Sequence, residues 1–159
     1  MLLRSLARFG ILILACVAWA EERPHDVNIC NLGRVASQFD GKIVRISGVL
    51  QNSDTSERPF FDELVGKSCK GTKGEQVNLQ VVSPDSHFLS NPPEGYKPDM
   101  GSLSRAEPIF ERAAAHHRSV FATVEGVFYV ANQPISGPVR HRRYPAFVVI
   151  QALRDVKER

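Results

Sequence analysis

The sequence predicts a mainly β protein with two short helices, built as a small, strongly coiled five-stranded barrel. The first observation behind this is residues 42–50, KIVRISGVL. Val44, Ile46, Gly48 and Leu50 share one face of an extended strand, and Arg45, Ser47 and Val49 share the other. The second is an echo over 122–128, ATVEGVF, which keeps the alternation and places Gly-Val at the same point. A glycine inside such a strand marks a bulge or sharp bend, because only a residue without Cβ lets the backbone turn that hard. The third is the order of the elements: helix, three strands, helix, two strands.

Taken in turn, residues 21–27 are polar and read as a flexible lead-in to a barrel domain over 28–159. Residues 28–39 carry Ile29, Leu32, Val35, Ala36 and Phe39 as a helical stripe, which Asp40-Gly41 ends. The first long strand covers 42–51. Polar turn material over 52–59 leads to a short apolar run at 60–65. The segment 66–75, rich in lysine and glycine, reads as a solvated hairpin loop. Residues 76–82 alternate, with Val77, Leu79 and Val81 facing in.

Residues 83–102 are rich in proline and glycine and read as an exposed loop or a lid. The second helix is expected over 103–117. Ser104 and Glu107 have capping-box spacing, Pro108 falls in the first turn, and Ile109, Phe110, Ala113 and Ala114 form the buried side. The second bent strand follows at 120–130, then a polar hairpin over 132–143. A nearly continuous apolar strand at 146–153 and a charged tail over 155–159 complete the chain. Five strands with a helix between the third and fourth is the order of an OB-fold, a small Greek-key barrel.

A chain of 159 residues suits one domain, and 43% hydrophobic with 23% charged residues is enough apolar content for a real core. Residues 1–20 read as an export signal: Arg4 and Arg8 precede an apolar run, and Ala18-Trp19-Ala20 offers small residues at a cleavage site. The run is too short for a mature membrane span, which takes about 20 residues. Cleavage after Ala20 yields a soluble periplasmic or extracellular chain, the favoured form. The alternative is Ile13-Leu14-Ala15-Cys16 used as a lipobox, with the chain anchored to a membrane through Cys16.

Removing residues 1–20 takes Arg4 and Arg8 from the 20 Lys+Arg, so 18 cations face 17 acids and the mature net charge is +1. A near-neutral chain has no global field for polyanions, and any basic site must be local. Two cysteines remain, Cys30 and Cys69. In an oxidising compartment a bridge between them would contribute about 4 kcal/mol by the chain-entropy account. Two buried free thiols are the alternative.

Several short pieces together resemble small exported bacterial proteins with an OB-like barrel and no known function. They are Cys30 before a short helix, Asp40-Gly41-Lys42 leading into Val44-Arg45-Ile46-Ser47-Gly48, Cys69 after the second strand, and Val124-Glu125-Gly126-Val127-Phe128. The resemblance spans about residues 28–155. It implies the fold and a Cys30–Cys69 bridge, and brings no catalytic residue.

The local feature above background is Arg140-His141-Arg142-Arg143-Tyr144, in the connection between the last two strands. In OB-folds that connection flanks the ligand face. Arginine forks suit carboxylate, phosphate and sulfate, and Tyr144 offers a stacking surface. A solvated loop is the plain alternative. His116 and His117 are adjacent on a helix, about 100° apart, so they do not chelate one ion. Asp62 and Glu63 point to opposite faces of a strand and read better as a solvated turn. No metal, cofactor or catalytic residue is assigned. The expected role is an exported, non-catalytic envelope module, with an anionic glycan, lipid head group or nucleic acid as ligand. A secreted OB-fold hydrolase such as a nuclease, or a purely structural envelope protein, are the alternatives.

Overall fold

The computed structural model describes residues 23–52, 61–66, 78–85, 91–136 and 143–159. The expected signal over 1–20, with Cys16, lies outside the described residues. The described chain is mainly β. It comprises β1 (His25–Val27), β2 (Ile43–Asn52), β3 (Phe61–Val65), β4 (Asn78–Val82), β5 (Val120–Ser136) and β6 (Arg143–Glu158), with one long helix. Five of these strands close on themselves, β2 to β3 to β4 to β6 to β5 and back to β2. All pairings in the ring are antiparallel except β4 with β6.

The alternation read from 42–50 sorts inside from outside. Val44, Ile46 and Leu50 enter one core with Leu64, Leu79, Ala122, Val124, Phe128 and Val148. Gly126 faces Val44 across the β2–β5 seam, at a register shift between β5 and β6. A Cβ on Gly126 would stand 2.2 Å from the Val149 carbonyl oxygen, so the bulge exists because no side chain is there. At Gly48 a Cβ would stand 3.0 Å from both Leu64 Cδ1 and the Val65 carbonyl oxygen. Both bends expected from the sequence are places of close approach.

Four expectations need correction. The lead-in is not wholly loose, since β1 pairs parallel with Val44–Ile46 on an edge of β2. The first helix is absent as such: the stretch is a 3₁₀ turn (Ile29–Asn31), one α turn, α1 (Leu32–Val35), and another 3₁₀ turn (Ala36–Gln38). Its apolar residues recur mostly every third position, which suits 3₁₀ geometry, and Gly33 weakens a continuous α-helix.

The second helix, α2 (Met100–Ala115), begins earlier than expected because Asp99, not Ser104, caps it, accepting from Ser102 N–H at 2.9 Å. Pro108 therefore lies in the helix interior, and the fully buried face is Ser102, Ala106 and Ala113. Finally, the charged tail is strand: β6 runs to Glu158, opposite Val120, past a bulge that accommodates Asp155 at φ 50°.

The apolar continuity of 146–150 has a physical cause. Val148 and Ile150 face the core, while Phe147 and Val149 face outward and are covered, with Val82, by Tyr96 and Tyr129. Tyr96 donates to the Ile150 carbonyl at 3.1 Å, and Asp99 N–H donates to the Gln151 carbonyl at 2.8 Å. So 91–99 is a strap laid across the outside of the barrel.

Candidate functional site

Of the five residues singled out for ligand binding, Arg140, His141 and Arg142 lie outside the described residues. Arg143 and Tyr144 open β6, opposite Ser136 and Ile135. Arg118 does not join them. It sits at the opposite end of the β5–β6 hairpin, 3.1 Å from Glu158, which also meets Arg112 at 3.0 Å.

His116 and His117 are exposed where α2 ends. His117 adopts φ 52°, with its N–H to the Ala114 carbonyl and that of Arg118 to the Ala113 carbonyl. That is a left-handed helix stop satisfying two terminal carbonyls, a structural task that needs no ligand. Among the described residues, no three His, Cys, Asp or Glu side chains gather as a metal group.

The register assembles an outward row the sequence does not announce. Gln51 faces Glu63, Glu63 faces Gln80, Gln80 faces Phe147, and Phe147 faces Tyr129. The row thus crosses all five strands of the ring, three polar residues followed by two aromatics. Phe147 and Tyr129 stack, with centroids 5.2 Å apart and planes 23° from parallel. Burial pushes the Tyr129 and Tyr96 phenols up, and Tyr129 adds to the effect on Tyr96.

Glu63 is not in a solvated turn, as the sequence suggested, but in β3 and only 1% exposed. It accepts a short hydrogen bond from Asn78 Nδ2. That bond orients the Asn78 amide, and among the described residues its Oδ1 has no partner, nor has Gln80 Oε1, both shielded from solvent. Buried carbonyls of this kind call for a donor or a reason. The available signal was the alternation of 76–82, which puts Asn78 and Gln80 outward if Leu79 is inward.

A second outward group is fully matched. Arg45 Nε lies 2.8 Å from Glu125, and Arg45 Nη1 lies 3.4 Å from Asp26. Arg154 meets Glu125 at 3.5 Å and Asp99 at 3.1 Å. Charges alternate along this ladder, from β1 across β2, β5 and β6 to the cap of α2. The bond to Glu125 holds the Arg45 proton more tightly than usual, against the opposing effect of burial. The ladder ties two peripheral pieces, β1 and the start of α2, to the barrel wall.

The expected disulfide has no geometry among the described residues, since Cys69 lies outside them. Cys30 itself is half-buried against the core. Compared with family models, curated proteins and solved structures, the chain shows no significant match.

Proposed function

We propose that this chain is an exported, non-catalytic binding module on an OB-like Greek-key barrel, taking an anionic ligand at the β5–β6 connection. The observation that carries it is the ring order. Numbered within the ring, the strands run 1-2-3-5-4, with the third and fifth parallel and α2 between the third and fourth. That order supports the OB reading, in which ligands meet the outer face of the second and third strands and the connections beside it. The row Gln51–Glu63–Gln80 lies on that face, and Arg143-Tyr144 opens the last strand out of the flanking connection.

Export rests on the charge, apolar run and cleavage pattern of residues 1–20. A Cys30–Cys69 bridge belongs to the same proposal and is supported by the even cysteine count of the exported chain. Alkylation of protein taken from the envelope without reduction should label neither cysteine, and two labelled thiols would refute the bridge. Mass spectrometry of the mature N-terminus should find Glu21, whereas a lipid on Cys16 would indicate anchorage.

Binding is tested on heparin, anionic vesicles and single-stranded DNA at two salt concentrations. The combined Arg140→Ala, Arg142→Ala and Arg143→Ala variant should bind more weakly and lose part of the salt dependence. Equal binding by the variant, or none by the wild type at low salt, would overturn the proposal. Cleavage of DNA with added calcium would replace it with the hydrolase reading.

A further inference from the structure

We propose that a cleft at the other end of the hairpin, where β2 passes from β1 to β3, binds a small oxyanion carrying a flat apolar body. One edge of β2 is shared between two partners. β1 pairs with Val44–Ile46, and β3 begins at Val49, so Ser47 and Gly48 fall between them. Asn28, which follows β1, and Gly66, which follows β3, border a cleft of about 260 Å³. This is just under the usual range for ligand pockets, about 300–1,000 Å³, so the occupant is a small molecule.

The chemistry of the lining is one-sided. Val49 and Phe121, paired across the β2–β5 seam, supply apolar surface. Asn28, Ser47 and Arg159 supply the polar groups, and among the described residues no Asp or Glu side chain lines the cleft. Asn28 Oδ1 already accepts from Cys30 N–H at 2.9 Å, which leaves its amide NH₂ as a donor. Ser47 Oγ is engaged with Thr123 Oγ1 at 2.9 Å.

Arg159 differs from the arginines around it. Arg45, Arg112, Arg118 and Arg154 each face a carboxylate. Arg159 instead lies over the Phe121 ring, 4.9 Å from its centroid, with no acidic side chain paired to it among the described residues. The ring holds the guanidinium by cation–π attraction without neutralising it. An arginine fork with no acidic side chain paired to it among the described residues, beside an amide donor and an apolar surface, fits a carboxylate or phosphate attached to a ring.

The site is separate from Arg143, which opens β6 at the far end of the hairpin. The test is an amide chemical-shift titration of the labelled chain with benzoate, phenyl phosphate, inorganic phosphate and neutral benzamide. Benzoate or phenyl phosphate should saturably shift Ser47, Gly48 and Phe121, with benzamide inert. Saturation by inorganic phosphate alone would assign recognition to the head group and overturn the role of the apolar surface. Arg159→Gln should weaken binding by about tenfold or more, with thermal unfolding unchanged, while Arg34→Gln, outside the cleft, should not. The Arg140, Arg142 and Arg143 triple variant should retain this binding even if polyanion binding is lost. No saturable shift, shifts centred elsewhere, or full binding by Arg159→Gln would overturn the inference.

Discussion

Between β2 and β5 the outward polar side chains meet each other: Arg45 reaches Glu125, and Ser47 shares a hydrogen bond with Thr123. Between β3 and β4 the corresponding positions hold Glu63, Asn78 and Gln80, and there Asn78 Oδ1 and Gln80 Oε1 have no partner among the described residues. A satisfied hydrogen bond contributes about 1 kcal/mol net, whereas a shielded, unmatched carbonyl costs about 1–3 kcal/mol. The same barrel thus has one wall finished for stability and another that carries an unmatched polar cost. The second is where a ligand's donors would find most to gain.

The largest test of the stable seam is Gly126→Val. Strand propensity alone favours valine, yet its Cβ would stand 2.2 Å from a backbone oxygen. The expected loss is about 3 kcal/mol or more in urea unfolding. Gly48→Val should cost less, about 1–3 kcal/mol, because one of its nearest neighbours is the movable Leu64 side chain. A neutral Gly126→Val would break the bulge account of the β5–β6 seam.

Next comes Glu125→Ala, which strands Arg45 and Arg154. Breaking a buried pair costs about 3–5 kcal/mol, but these two arginines are 41% and 46% exposed, so solvent screens them and the expected loss is about 1–2 kcal/mol. Combining it with Arg45→Ala should cost less than the sum of the two single changes. Strict additivity would mean that the ladder is ornamental.

Gln80→Leu sharpens the other side of the comparison. It removes an orphaned carbonyl, so stability should hold or rise by up to about 1–2 kcal/mol. A clear loss in the same unfolding assay would show that the β3–β4 wall is matched after all.

The smallest effect concerns Asp99, whose carboxyl is held below its usual range first by the Ser102 N–H and then by Arg154. A depressed carboxylate adds stability that is complete above the unfolded value, about pH 4, and is lost as pH falls through the folded value. The stability gap between wild type and Asp99→Asn should therefore be constant at neutral pH and close below about pH 4. A gap that persists unchanged into acid would remove charge from the capping account.

Much of the interior could be read directly. Alternation over 42–50 and 122–128 placed Val44, Ile46, Leu50 and Val124 inside, and the two internal glycines marked close approaches, because both signals are local: side-chain direction follows the pleat, and only glycine permits the contact. Helix starts were less legible. Ser104-x-x-Glu107 has the spacing of a cap, but Asp99 won, because its backbone N–H is also tied to the Gln151 carbonyl on β6.

The candidate sites were the least legible. Gln51, Glu63, Gln80, Phe147 and Tyr129 are scattered through the sequence and become a row only through four separate registers. Phe121 and Arg159 read as an ordinary strand residue and a tail residue until the hairpin brings them together. Local pattern decides which way a side chain points along its own strand. Which strand lies beside it, and with what offset, is set by closure of the whole ring, and that cooperative choice places the polar groups around the barrel.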